Sequence, residues 1–98
     1  MNARAGVEAR PTWTFLTNHG HVLIAVAADR DTRVRDIAER VGITERAVQG
    51  ILDDLERGGY LERERLGRRN RYTLRAGGRF RHPAEQGHAI DELLQLFG

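Results

Sequence analysis

Residues 34–61 read VRDIAERVGITERAVQGILDDLERGGYL, and the spacing of apolar residues within this stretch decides the fold class. Val34, Ile37, Ala38 and Val41 stand at i, i+3, i+4 and i+7, which places them on one stripe of a short helix. Gly42 follows, and glycine is the residue that most readily takes the left-handed conformation that ends a helix. Thr44 then offers a hydroxyl that can accept a bond from an otherwise unpaired first-turn N–H. Val48, Ile51, Leu52 and Leu55 repeat the helical spacing, and Gly58-Gly59 stops the second helix. Two amphipathic helices therefore flank a tight glycine-containing turn.

Upstream, Leu16, Gly20, Leu23, Ile24 and Ala27 recur at helical spacing and predict a helix from about Trp13, with Thr17 or Asn18 as alternative caps, ending near Asp29-Arg30-Asp31. Thr32 to Val34 reads either as the entry to the second helix or as a short strand. Downstream, Leu61 to Leu66 and Arg71 to Leu74 form a hairpin, with Gly67-Arg68-Arg69-Asn70 as its basic turn. Residues 75–82 read as a loop, and Pro83 suits the first turn of a last helix. Ile90, Leu93, Leu94 and Phe97 give that helix a single apolar stripe. Residues 1–11 show no apolar periodicity and read as a flexible arm, 12–75 as the main folded unit, and 76–98 as a loop and C-terminal helix.

This order of elements is what a winged helix-turn-helix needs to place one helix in the major groove of DNA with a loop beside it. The expected fold is mainly α with a small β-hairpin: a three-helix core plus wing, and an additional C-terminal helix. Residues 18–74 resemble the MarR and ArsR families of bacterial transcriptional regulators. The resemblance is carried by residues 35–44, by Ala47-Val48, and by Leu55 through Leu61. It implies binding of double-stranded DNA, and the apolar stripe of the last helix adds the expectation of a homodimer.

Composition bounds the alternatives. At 98 residues the chain fits one domain with a modest core, and 40% hydrophobic with 31% charged residues is a globular composition. With no cysteine, neither a disulfide nor a thiolate metal site can hold the fold. The apolar stretch Val22 to Ala28 is far shorter than the ~20 residues that cross a bilayer, so a cytoplasmic protein with no membrane contact is expected. Between Arg57 and Arg81 nine arginines stand against two glutamates, a local charge of +7, which leaves −5 for the rest of a chain whose total is +2. Every basic side chain is Arg, a preference that genomic base composition accounts for, but the clustering is a separate fact.

Projecting the second helix of the pair at 100° per residue sets Val48, Ile51, Leu52 and Leu55 toward the core and Arg46, Gly50, Asp53 and Arg57 opposite, with Gln49 on a flank. The expected DNA-binding residues are Thr44, Glu45, Arg46, Gln49 and Gly50 from this helix, and Arg68, Arg69, Asn70 and Arg71 from the hairpin. Arg46 matches the O6 and N7 of guanine and Gln49 the N6 and N7 of adenine. The hairpin arginines suit a narrow minor groove or the flanking phosphates. Gly50 either allows close backbone approach to DNA or marks a helix that reads few bases. Asp53 is expected to pair with Arg57 at i+4.

Ile90, Leu93, Leu94 and Phe97 are the expected dimer interface, with closure of the stripe over the first helix near Trp13 and Leu16 as the alternative. His88, Asp91 and Glu92 sit within one turn, the kind of set ArsR-like metal sensors use, but zinc sites normally take four ligands and nothing supplies the rest. No metal site, cofactor or catalytic residue is assigned, since no nucleophile elbow or glycine-rich phosphate loop occurs. A protein-docking winged helix and a metal- or small-molecule-responsive sensor are the competing functions.

Overall fold

The computed structural model describes residues 11–98, so the expected arm lies outside the described residues except for Pro11. The elements are α1 (Asn18–Ala28), α2 (Val34–Val41), α3 (Glu45–Arg57), β1 (Leu61–Leu66), β2 (Arg69–Leu74) and α4 (Ile90–Phe97). Three helices and the hairpin enclose one core, in which Val22, Val26, Ile37, Val48, Leu52, Leu61 and Tyr72 are fully buried.

The first helix starts at Asn18, later than Trp13, because Thr17 caps it: the Thr17 backbone is extended and its Oγ1 accepts the Gly20 N–H at 3.4 Å. Residues 11–17 form no regular element, and the Trp13 ring meets Phe15 edge-on. The buried set of α1 is Val22, Leu23, Ala25 and Val26 and not the stripe expected from spacing. This helix is apolar nearly all round, so spacing singles out no face, and it packs on α2, α3 and α4 at once.

The helix pair follows the sequence reading. Gly42 ends α2 with φ 86°, its N–H bonded to the Ala38 carbonyl at 2.7 Å, and the Ile43 N–H reaches the same carbonyl at 3.0 Å. Thr44 Oγ1 accepts the Ala47 N–H at 3.0 Å and starts α3. Val48, Ile51, Leu52 and Leu55 are all buried.

Strands β1 and β2 pair antiparallel from Leu61 opposite Leu74 to Leu66 opposite Arg69. The turn is therefore only Gly67-Arg68, with Gly67 at φ 65°, and the expected turn residues Arg69 and Asn70 belong to β2. A two-residue hairpin loop needs positive φ at its first central residue, and Gly67 supplies it. No strand forms at 32–34; a backbone bond from the Tyr72 N–H to the Arg30 carbonyl, 2.9 Å, helps tie the α1–α2 loop to β2.

The last helix begins at Ile90, well after Pro83. The Phe80 N–H bonds to the His88 carbonyl and the Ile90 N–H to the Gly78 carbonyl, at 3.2 and 2.7 Å. This short antiparallel pairing closes residues 82–87 into turns, with bonds from the Glu85 N–H to the His82 carbonyl and from the His88 N–H to the Glu85 carbonyl. Tyr60 latches the segment: its hydroxyl donates to the Arg79 carbonyl, and its ring covers Gly78 so closely that a Cβ there would lie 2.8 Å away. Ile90 and Leu94 then rest against the core.

Candidate nucleic-acid interface

Burial of one stripe of α3 leaves Glu45, Arg46, Gln49, Gly50, Asp53 and Arg57 exposed. In the first half of the helix, Arg46 and Gln49 make no side-chain bond among the described residues, so their donors are open to a ligand. The Thr44 hydroxyl is engaged as the cap. A Cβ at Gly50 would meet nothing within 4 Å, so neither crowding nor backbone conformation requires glycine there.

The second half is occupied internally. Arg63 of β1 reaches back to α3, placing Nη2 2.6 Å from Asp53 Oδ1 and 2.8 Å from Glu56 Oε1, with Nε 3.0 Å from Glu56 Oε1. Arg57, the expected partner of Asp53, bonds Asp54 instead at 3.3 Å, and the other oxygen of Asp54 lies 2.8 Å from His19 Nε2. The hairpin brings Arg63 over Asp53, a long-range contact that i, i+4 spacing does not reveal. The Arg63 side-chain bond holds the Glu56 carboxyl below its ordinary pKa, and the His19 bond does the same for Asp54. Burial opposes the Arg63 charge, but the bonds to Asp53 and Glu56 outweigh it and raise its pKa.

The hairpin residues named from sequence do not act as one cluster. Arg68 sits in the turn, exposed, and makes no bond among the described residues. Arg69 Nη2 donates to the Asp31 carbonyl at 2.9 Å, and Arg71 Nε donates to Asp31 Oδ1 at 3.0 Å. Asn70 is half-buried on the same face as Tyr72, opposite Arg65. Arg65 folds onto the Gly67 carbonyl at 2.7 Å.

Much of the positive run is neutralised in space, since Arg57, Arg63, Arg71 and Arg75 pair with Asp54, with Asp53 and Glu56, with Asp31, and with Glu62 respectively. Arg68 stays open within the run, and further open guanidiniums lie outside it. Arg33, Arg35 and Arg40, at the start and on the outer side of α2, are exposed and without partners among the described residues. They lie outside the 57–81 run that dominates the charge along the chain, and the signal that marks Arg35 and Arg40 is their position off the apolar stripe of α2.

The apolar stripe of α4 is divided. Ile90 and Leu94 pack on the core and Leu93 is half-buried, while Phe97 and its neighbour Leu96 are 56% and 77% exposed. Of the residues near His88, Glu92 bonds its Nδ1 at 3.1 Å and also accepts the Ala89 N–H, whereas Asp91 faces the Gly77 N–H. Among the described residues no group of three or more His, Cys, Asp or Glu could hold a metal ion. A groove of about 730 Å³ runs between the start of α1, the end of α3 and the segment before α4, with Phe15, Leu16, Tyr60, Phe80 and Arg81 in its walls.

Comparison with known proteins fits this geometry. The fold is similar to that of MepR, a transcription regulator of the Staphylococcus aureus multidrug efflux pump MepA, with a TM-score of 0.58 and 24% identity over 82% of this chain and 53% of that one. It is also similar to the PcaV transcriptional regulator from Streptomyces coelicolor, with a TM-score of 0.55 and 25% identity over 83% of this chain and 51% of that one. The chain spans about half the length of these solved relatives. No curated protein matches the sequence. The MarR family model matches residues 14–71, from the segment before α1 into β2 and more than half of the chain, and the protein belongs to the MarR family.

Proposed function

We propose that this chain binds double-stranded DNA sequence-specifically in a transcriptional regulator, with α3 in the major groove and the hairpin on the adjacent phosphates or minor groove. The observation that carries this is the pair Arg46 and Gln49, exposed and unpartnered at the start of a helix whose opposite face is the core. Arg46 reads guanine and Gln49 adenine, Thr44 and Glu45 flank them, and Gly50 lets the backbone come close to the groove floor. Arg68 is the hairpin's free phosphate contact, with Arg69, Asn70 and Arg71 at its base. MepR and PcaV are both transcription regulators, which supports the reading.

The active form in this proposal is a cytoplasmic homodimer joined through the α4 stripe, with Leu93 and the exposed Phe97 making the contact, since Ile90 and Leu94, the other two residues of the expected interface, pack on this chain's own core. Its operator is a near-palindrome with half-sites about one DNA turn, or a small multiple of it, apart. Among the described residues no helix is long and apolar enough to cross a membrane. Selection of bound sequences from a random DNA pool tests the function: enrichment of a two-fold symmetric site supports it, and no enrichment at low salt overturns it in favour of a protein-docking winged helix. A second reading, control by a small molecule, is favoured by the apolar groove at the end of α3 and by the structure of PcaV in complex with its natural ligand.

A further inference from the structure

Asp31, in the loop between α1 and α2, touches the hairpin through both its backbone and its side chain. Its carbonyl accepts from Arg69 at 2.9 Å and its Oδ1 accepts from Arg71 at 3.0 Å, and beside it the Arg30 carbonyl accepts the Tyr72 N–H. The loop itself is fixed by a bond from the Asp31 N–H to Asp29 Oδ1 at 3.0 Å. Arg69 and Arg71 alternate along β2 with Tyr72, whose ring is buried, so both arginines lie on the outer face of the hairpin.

The position of β2 is set by Tyr72 in the core and by the ladder with β1, neither of which involves the Asp31 carboxylate. The Asp31–Arg71 pair is about half exposed on both sides, at 51% and 56%, and such a pair adds little to stability. Its consequence is for charge. Glu64 stands opposite Arg71 across the hairpin, so Arg71 has an acid on each side. A phosphate that takes Arg71 has to displace a carboxylate and then sit beside it. Arg68, at the turn, carries no such penalty.

Resting on the DNA-binding reading above, we propose that Asp31 is a determinant of DNA selectivity: its carboxylate holds Arg71 against the domain in the free protein and keeps that cation out of indiscriminate phosphate binding. Asp31→Asn keeps the shape and the acceptor oxygen but removes the competing charge. The variant binds a random-sequence duplex severalfold more tightly at 50 mM salt, and its log K against log salt is steeper by about 0.9, the equivalent of one added phosphate contact. The advantage then shrinks about threefold between 50 and 200 mM salt. The gain disappears when Arg71→Ala is introduced alongside it. A merely structural role for Asp31 would instead lower affinity and leave the slope unchanged. Wild type binding with Asp31→Asn no tighter, or a gain that survives Arg71→Ala, overturns the proposal alone. No duplex binding by either protein at low salt overturns the DNA-binding reading and this proposal together.

Discussion

In the first half of α3, Arg46 and Gln49 are exposed with their donors unspent, whereas in the second half Asp53, Asp54 and Glu56 are tied to Arg63, Arg57 and His19. The two halves share one buried stripe and one helical period, so the difference comes from what folds over them. The hairpin returns across the C-terminal half and α1 begins beside it, which puts Arg63 and the His19 ring within hydrogen-bond reach of its carboxylates. Nothing among the described residues reaches the outer side of the N-terminal half. A free guanidinium gives up no internal bond when it meets a base or phosphate, while Arg63 would have to abandon two carboxylates. The first half of α3 thus keeps its polar groups unspent, and the second half holds the hairpin.

Exchange of function between these halves is the direct way to break the comparison. Arg46→Ala or Gln49→Ala is expected to cost about 1 to 3 kcal/mol on the preferred DNA site, to relax choice at one or two base positions, and to leave urea unfolding unchanged. Arg63→Ala is expected to do the reverse first. It leaves Asp53 and Glu56 facing each other without a cation and lowers unfolding stability by about 1 kcal/mol, discounted for partial exposure. Urea titration beside binding isotherms for the same proteins makes the check. Loss of stability in Arg46→Ala, or none in Arg63→Ala, would erase the division.

Two glycines sharpen it with one chemical change of opposite sign. Gly42 sits at φ 86° and closes α2, so Gly42→Ala forces a side chain into the left-handed region and should destabilise by about 1 kcal/mol. Gly50 lies inside α3 with open space around it, so Gly50→Ala should stabilise by up to about 1 kcal/mol through helix propensity alone. If the glycine serves close approach to DNA, the stabilised Gly50→Ala protein binds its preferred site more weakly. Thermal melting separates the two signs, and unchanged binding by Gly50→Ala would assign that glycine no part in recognition.

Legibility in the sequence followed the range of the interaction. The α2 and α3 stripes, the Gly42 stop and the Thr44 cap are set by neighbours within a turn or two, and they are where spacing put them. The face of α1 is not marked by spacing because its apolar residues surround it, and α4 starts later than Pro83 suggests because the pairing of 78–80 with 88–90 outweighs the suitability of proline for a helix start. The same limit applies to the candidate site. Exposure of Arg46 and Gln49 follows from periodicity, but the fate of the arginine run depends on contacts 7 to 40 residues apart, such as Glu56 with Arg63 and Asp31 with Arg71. Asp31 read only as part of a polar helix stop, since nothing local marks it as a partner of the hairpin.

The smallest expected effect is on the pH dependence of folding, and it belongs to the second half of α3. Glu56 and Asp54 have carboxyl pKa values lowered by bonds to Arg63 and His19, and Glu92 of α4 has one lowered by the Ala89 N–H. A carboxyl whose folded pKa lies below its unfolded value contributes stability that is present above the unfolded value, near 4, and is lost as pH falls through the folded one. The Arg63 and Arg71 shifts are upward from a value already above the neutral range, so their contribution is lost only in strong alkali. Stability should therefore be flat from about pH 5 to 8 with respect to these groups and decline below about pH 4. Glu56→Gln should lower stability at pH 7 and shallow that acid decline, because one of the protons taken up on unfolding no longer exists. Arg46→Ala should leave the curve unaltered. Urea midpoints measured between pH 3 and pH 7 decide it: an acid limb unchanged in Glu56→Gln would mean that Arg63 holds the wing through Asp53 alone.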